Sequence, residues 1–256
     1  METTVENITI SISILELAVA LHLLRPPVSS TIAISGFTPN NPQSLVFIMA
    51  SNQTETNDLI SPSSIGHFGI RTTPDKFEAM VSWHLNFFGA RAVLRNKNAV
   101  FIAWDDEHHR MVIVSDPSHE QIPNRATAAT VYHIAFTLNS LADLATSYEQ
   151  KKARGILPHW PVNHGMSTSM YYTDPDGNEF EMQVNNFDTA EEALAFMATP
   201  EYAENPIGVD IGIEDWLKRV RSGEDEAILK KRPVIGQRLS RYENSIYFQK
   251  PPANTA

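Results

Sequence analysis

Residues 171–181 read Tyr-Tyr-Thr-Asp-Pro-Asp-Gly-Asn-Glu-Phe-Glu, and this stretch decides how the rest of the chain is interpreted. Its Asp-Pro-Asp-Gly-Asn core is typical of a tight turn, because proline presets one backbone angle and glycine accepts a positive φ. Polar and apolar residues alternate after the turn, as in a strand that is buried on one face. The stretch therefore predicts two strands joined by a turn, with Glu181 and Phe180 on opposite faces of the second strand.

The same order of elements occurs twice along the chain. Residues 67–72 and residues 132–138 each read as a strand, and each carries a histidine near its start, His67 and His133, 66 residues apart. A helical pattern follows each strand, and short strand-like runs follow each helix. We predict an α+β fold in which two βαβββ modules, residues 66–121 and 131–186, form a curved mixed sheet around a metal site.

Local signals predict where the two module helices begin and end. Thr73 and Pro74 are typical of an N-cap and a first helical position, and Gly89 is typical of the residue that ends a helix. Ser140, with Asp143 three residues later, predicts the start of the second helix.

The composition narrows the function. The chain has 256 residues, a formal net charge of −10 and no cysteine. An acidic chain lacks the basic footprint of a nucleic-acid-binding protein, so we expect no nucleic-acid partner. The absence of cysteine excludes disulfides, thiolate metal sites and cysteine nucleophiles. A bound metal would therefore be held by histidine and carboxylate, and nine histidines are present.

The two ends of the chain differ from its middle. Residues 1–65 are predicted to be an N-terminal extension outside the fold, and residues 187–256 a helical and loose C-terminal extension. The apolar run of residues 8–24 is short for a membrane span, and Glu2 and Glu6 stand where a signal peptide carries basic residues. We predict a cytoplasmic protein without a membrane span, with a targeting segment or membrane-surface anchor as the alternative. Residues 1–60 are expected to be dispensable for catalysis.

Three residues form a candidate metal site. His67 and His133 occupy equivalent places in the two modules, and Glu181 lies on the closing strand of the second. Two imidazoles and one carboxylate are the facial triad that leaves open positions on non-haem Fe(II). Aligning the closing strands places Met111 opposite Glu181, so the first module offers no fourth ligand for a hard divalent ion.

Three stretches, residues 67–71, 132–136 and 171–181, resemble the vicinal-oxygen-chelate superfamily of glyoxalases, bleomycin-resistance proteins and extradiol dioxygenases. The resemblance is strongest to type I extradiol enzymes that act on catechols or biphenyl-diols. It implies the vicinal-oxygen-chelate fold and an extradiol ring-cleaving dioxygenase that adds O₂ to a catechol-like aromatic diol at Fe(II), with Mn(II) as the alternative ion.

Two other functions remain open, because the turn signature is shared across the superfamily. A glyoxalase-like lyase or isomerase would use Zn²⁺, Ni²⁺ or Mn²⁺ without O₂, and a metal-free protein of this fold would bind an aromatic ligand. The partners expected for the dioxygenase are O₂, a small aromatic diol and a second copy of the chain in a homodimer.

The resemblance also implies three catalytic residues. Tyr171, three residues before Asp174, corresponds to the tyrosine that orients a substrate oxygen in extradiol enzymes. His164 corresponds to the histidine upstream of that tyrosine. His119, fourteen residues before His133, is the candidate for the acid–base histidine.

Overall fold

The computed structural model describes residues 59–125 and 127–249. Residues 1–58, with the apolar run of residues 8–24, lie outside the described residues, and so does nearly all of the segment predicted to be dispensable. Among the helices of the described ranges, none combines the length and the apolar character needed to cross a membrane.

The first module is a strand, a helix and three further strands. Strand β1 is parallel to β4, and the sheet has the order β1-β4-β3-β2. Helix α1 packs against this sheet. The elements are β1 (Phe68–Thr72), α1 (Phe77–Phe88), β2 (Arg91–Arg95), β3 (Ala99–Ala103) and β4 (Met111–Ser115).

The second module repeats this arrangement. Strand β5 is parallel to β8, and the sheet has the order β5-β8-β7-β6-β9. The elements are β5 (His133–Thr137), α2 (Leu141–Lys152), β6 (Trp160–Asn163), β7 (Ser167–Thr173) and β8 (Glu179–Asn185). The predicted pair of βαβββ modules is confirmed, but hydrogen bonding joins the strands into two mixed sheets instead of one.

The C-terminal part of the chain, as far as residue 249, adds to the second module. After two helices, it supplies the fifth strand of that sheet, β9, which pairs with β6. Farther along, the fully buried Arg238 forms an ion pair with Asp210 of β9. The elements are α3 (Ala190–Met197), α4 (Pro200–Glu204), β9 (Val209–Asp210), α5 (Ile213–Arg221) and α6 (Glu226–Lys230).

Two of the three predicted helix boundaries are confirmed. Gly89 ends α1 with φ 59°, and the Ser140 side chain accepts a hydrogen bond from the Asp143 N–H at the start of α2. The predicted start of α1 at Thr73 is wrong. The Lys76 N–H bonds to the Thr73 carbonyl at 3.1 Å in a separate turn, and Lys76 is the N-cap of the helix.

Aromatic side chains join the two modules. Phe180 of β8 is fully buried, and its ring lies 5.8 Å from the ring of Phe87 on α1 and 6.4 Å from that of Phe68 on β1. Because these contacts connect a strand of the second module with two elements of the first, one buried apolar cluster contains residues of both modules.

The turn between β7 and β8 is also held by the first module. His84 of α1 and Asp174 of the turn are both fully buried, with 3.1 Å between His84 Nε2 and Asp174 Oδ2. Asp174 also accepts hydrogen bonds from the backbone N–H groups of Asp176 and Asn178. Lys76 Nζ lies 3.4 Å from the Asp176 carboxylate. These contacts fix the turn that connects the strands carrying Tyr171 and Glu181.

The buried His84 predicts a loss of stability in acid. Burial lowers the pKa of His84 despite the neighbouring Asp174, and its Nδ1 has no hydrogen-bond partner within the described structure. Below a pH of about 6.5, His84 is therefore protonated in the unfolded chain but stays neutral in the folded chain, so acid favours unfolding.

Between pH 7 and pH 5 this linkage is expected to lower the free energy of unfolding, by at most about 2 kcal/mol, the limit that the ordinary histidine pKa sets. Urea unfolding of the wild type and of the non-titrating His84→Gln variant at both pH values measures the effect. An equal loss in the two proteins would show that His84 does not cause it.

Candidate active site

The second sheet brings two of the predicted metal ligands together. Ala135 of β5 pairs with Glu181 of β8, so His133, two residues earlier, shares a sheet face with Glu181. His133 Nε2 lies 3.2 Å from Glu181 Oε2, and Glu181 is buried. Since nitrogen and oxygen ligands each bind a divalent metal at about 2.0–2.2 Å, two donors about 3 Å apart can bind the same ion.

The electrostatics of this pair favour an ionised carboxylate. Burial alone would raise the pKa of Glu181, but hydrogen bonds from His133 and Ser169 lower it. The hydrogen bond to Glu181 raises the pKa of His133, against the effect of its partial burial. A metal ion would displace the proton from His133, because only neutral imidazole is a ligand. The buried Nδ1 of His133 has no partner in the described structure.

His67 lies elsewhere in this structure. Its side chain is exposed, and its ring lies 4.3 Å from that of His109 and 6.3 Å from that of His108. Within residues 59–125 and 127–249, no group of three His, Asp or Glu side chains is close enough to hold a metal ion. The donor types of His133 and Glu181 therefore fit a divalent metal, and the assignment of His67 as the third ligand stays a prediction.

The register corrects the predicted alignment of the two closing strands. Gly69 pairs with Val112 just as Ala135 pairs with Glu181, and these glycine and alanine positions are also 66 residues apart. Val112, not Met111, therefore occupies the place of Glu181 in the first module. Valine has no donor atom, so the first module still offers no fourth ligand at this position.

Tyr171 and His164 form a hydrogen-bonded pair beside the two ligands. Tyr171 of β7 pairs with Glu181, and its ring lies 5.4 Å from that of His133. Its hydroxyl oxygen is 3.0 Å from His164 Nε2. Burial, followed by the negative charge of Glu181, raises the pKa of Tyr171, which therefore stays protonated.

The hydrogen bonds of His164 assign its tautomer. Its Nδ1 lies 2.6 Å from the Ile207 carbonyl oxygen and must donate to it. Burial lowers the pKa of His164, so the ring is neutral and Nε2 carries a lone pair. The Tyr171 hydroxyl consequently donates a hydrogen bond to His164 Nε2. The lone pairs of its oxygen remain available to accept a hydrogen bond from a bound molecule.

His119 lies beside the C-terminal end of β1, whereas His67 precedes the N-terminal end of this strand. His119 Nδ1 donates to the carbonyl of Thr72, 3.0 Å away, and Thr72 is the last residue of the strand that begins after His67. The predicted acid–base role of His119 stays a prediction.

Sequence reasoning missed Asp210 and Arg238, two C-terminal residues that support this site through Trp160. The Trp160 indole stacks on Tyr171 with 5.1 Å between the ring centres. Its N–H donates to Asp210 at 2.9 Å, and Asp210 is paired with the buried Arg238 at 2.7 Å. No local pattern in the sequence signals the contacts of Asp210, because it is 50 residues from Trp160 and 28 from Arg238.

A cavity of about 660 Å³ lies between β1 and the β5–β8 pair. Its lining residues Ile134 and Phe180 alternate with His133 and Glu181 along β5 and β8, so their side chains lie on the opposite face of these strands. Its volume is within the range of sites for small organic molecules. Aromatic and aliphatic lining residues include Phe68, Ile70, Ile122, Val131, Ile134 and Phe180.

Known proteins are similar to most of the described part. The family model described as the Glyoxalase/Bleomycin resistance protein/Dioxygenase superfamily matches residues 64–182. Biphenyl-2,3-diol 1,2-dioxygenase 2 of Rhodococcus globerulus is 43% identical over 134 residues, which are 52% of this chain and 70% of the relative. Biphenyl-2,3-diol 1,2-dioxygenase 3 of the same organism is 38% identical over 170 residues, 66% of this chain and 87% of the relative.

Solved structures give a weaker likeness. The fosfomycin resistance protein FosX from Mesorhizobium loti is 22% identical, with a TM-score of 0.40, over 52% of this chain and 99% of that one. A glyoxylase/bleomycin resistance protein/dioxygenase domain from Frankia sp. EAN1pec is 13% identical, with a TM-score of 0.42, over 52% and 98% of the two chains.

The identification rests on the two relatives together with the fold. Both are more than 30% identical to this chain, and the match spans more than two thirds of each of them. The paired βαβββ modules and the turn at residues 174–178 are the features expected of such a relative. The chain therefore belongs to the glyoxalase/bleomycin resistance protein/dioxygenase superfamily.

Proposed function

We propose that the protein is an extradiol-type ring-cleaving dioxygenase, which adds O₂ to a catechol-like aromatic diol at non-haem Fe(II), with Mn(II) as the alternative ion. The observation that carries the proposal is the arrangement on one face of the second sheet, where the His133–Glu181 pair lies beside the Tyr171–His164 pair. One pair offers metal donors, and the other offers a relay for a proton.

His133, Glu181 and His67 would hold the metal. When bound, Fe(II) with open positions supplies a Lewis acid that lowers the pKa of a diol and a centre for reaction with O₂. His67, whose side chain is exposed, would have to leave its position beside His109 to join this pair. The buried carboxylate of Glu181 would balance part of the metal charge.

Tyr171 and His164 would handle the substrate proton. The Tyr171 oxygen can accept a hydrogen bond from a substrate hydroxyl while its own proton is donated to His164 Nε2. A proton leaving the substrate would therefore have a path to a neutral imidazole, which His164 offers through its lowered pKa. Trp160, stacked on Tyr171, would limit the rotation of the phenol ring.

An aromatic diol is the substrate class that the surroundings favour. The names of the two Rhodococcus relatives state activity on biphenyl-2,3-diol. The Tyr171 ring lies 5.4 Å from that of His133 and is stacked on Trp160, so aromatic side chains stand beside the donor pair.

Anaerobic purification followed by metal analysis and O₂ measurement tests the proposal. We expect one Fe(II) or Mn(II) per chain and consumption of one O₂ per molecule of 2,3-dihydroxybiphenyl or catechol. Metal-loaded protein that consumes no O₂ with a panel of diols would contradict the proposal and favour glyoxalase-like chemistry. Protein that retains no metal but binds the diol would favour a binding function.

The homodimer also stays a prediction. Strand β2 is exposed along its whole length, and Leu94 and Val93 on it are 60% and 41% exposed. A second copy of the chain could cover these apolar side chains. Analytical ultracentrifugation of the full chain at micromolar concentration measures the mass, and a monomer at all concentrations would contradict the prediction.

A further inference from the structure

A second cavity lies away from the candidate active site, at the joint between the two modules. Its volume is about 380 Å³. The end of α1, from Asn86 to Gly89, forms one wall, and α2 forms another through Ser147, Lys151 and other residues. Because α1 belongs to the first module and α2 to the second, a molecule in this cavity would contact both.

Lys151 is an unusual residue in this cavity. It is only 5% exposed, although lysine is almost never buried without a charged partner. Its Nζ bonds to the Ser147 hydroxyl at 2.6 Å and lies 4.7 Å from the centre of the Phe87 ring. Among the described ion pairs, none joins Lys151 to a carboxylate.

The neighbouring lysine has the opposite environment. Lys152 is paired with Glu214 at 2.7 Å, and its side chain is 47% exposed. The Glu214 hydrogen bond raises the pKa of Lys152. For Lys151, burial and then the charge of Arg154 lower the pKa to about 8. Near neutral pH, Lys151 therefore has a much larger fraction of the neutral, nucleophilic amine.

We propose that Lys151 is a covalent modification site, whose amine forms an imine with a small aldehyde that carries a carboxylate and enters the cavity between α1 and α2. The nitrogen lone pair forms a bond to the carbonyl carbon, and the carbonyl oxygen leaves as water after taking up two protons, both originally on the neutral amine. No electrons are exchanged with another reactant, so the step needs no oxidant or reductant.

Arg154 defines the class of aldehyde. It also lines the cavity, lies near enough to Lys151 to lower its pKa, and is exposed, so its guanidinium can pair with the carboxylate of an incoming molecule. Asp143 lines the same cavity, and its negative charge would repel the carboxylate of a molecule that bound close to it. An aldehyde acid of two to four carbons satisfies both conditions within this volume.

Trapping with glyoxylate tests the proposal. The full-length protein is incubated with glyoxylate and cyanoborohydride, which reduces the imine to a stable carboxymethyl-lysine, and fragment mass spectra compare the two adjacent lysines. At pH 7 we expect Lys151 to be modified at least ten times faster than Lys152, with a rate that rises to half its maximum near pH 8. If Lys151 of the wild-type protein is labelled no faster than Lys152, the proposal is overturned, and this comparison needs no variant.

Acetaldehyde and an Arg154→Gln variant test the role of the carboxylate. With the wild type, glyoxylate should modify Lys151 faster than acetaldehyde does, and Arg154→Gln should remove that preference. An unchanged preference in the variant would overturn the assignment to aldehyde acids. Lys151→Arg, which keeps the charge, should remove the label while leaving the unfolding midpoint nearly unchanged.

Discussion

The Glu181→Gln variant is expected to lose ring cleavage and to bind Fe(II) at least about 100-fold more weakly than the wild type, since even changes to groups around metal ligands cost 10- to 100-fold. Glutamine keeps the size of the side chain but removes the buried negative charge that His133 faces at 3.2 Å. Metal content after dialysis and O₂ consumption with 2,3-dihydroxybiphenyl measure the two effects.

Two controls make this result specific. Glu179→Gln changes a carboxylate on the same face of β8, which pairs with His159 and Arg241 instead of His133, and it should retain metal. In metal-free Glu181→Gln, the pKa of His133 should fall towards its ordinary value, because the hydrogen bond that His133 donates to the Glu181 carboxylate raises it. NMR titration of His133 measures the change. Retention of stoichiometric iron and turnover by Glu181→Gln would place the metal elsewhere.

The His164→Asn variant is expected to lower turnover by about 10²- to 10⁴-fold while leaving metal content nearly unchanged. Asparagine can still donate to the Ile207 carbonyl, but it offers no titratable nitrogen to the Tyr171 hydroxyl. The loss should appear in the turnover number, because the imidazole acts on the proton and does not hold the metal in the proposed arrangement.

His119→Asn is the matched control for this experiment. If His164 is the acid–base residue, replacement of His119, whose Nδ1 donates to the Thr72 carbonyl, should lower turnover much less than that of His164. A larger loss in His119→Asn would return the acid–base role to His119, as the sequence resemblance implies. Tyr171→Phe should approach the loss of His164→Asn, because it breaks the same path from the opposite side.

Local sequence signals succeeded where neighbouring residues alone decide the outcome. The Ser140 cap and the Gly89 end are such cases, because each depends on the backbone within one helical turn. The start of α1 was predicted too early, because Thr73 and Pro74 form a separate turn before the helix. The alignment that placed Met111 opposite Glu181 also failed by one residue, since strand register depends on pairing with β1.

For the candidate site too, the sequence identified some residues, and only the structure located the others. The repeat and the alternation after the turn selected His133 and Glu181, and the family resemblance implied Tyr171 and His164. The structure places these four in two hydrogen-bonded pairs. The place of Trp160 beside Tyr171 could not be read from the sequence, because it depends on Asp210 of a distant strand.

The sequence by itself determined the two βαβββ modules, because alternation, helical periodicity and turn residues are local physical preferences that the chain repeats. Only the tertiary structure decided that hydrogen bonding divides the strands into two sheets and that His67 lies beside His109. It alone also showed that burial leaves His164 neutral and Lys151 without a carboxylate partner among the described ion pairs. These properties depend on which distant residues exclude water from a group, and no pattern of neighbours along the chain contains that information.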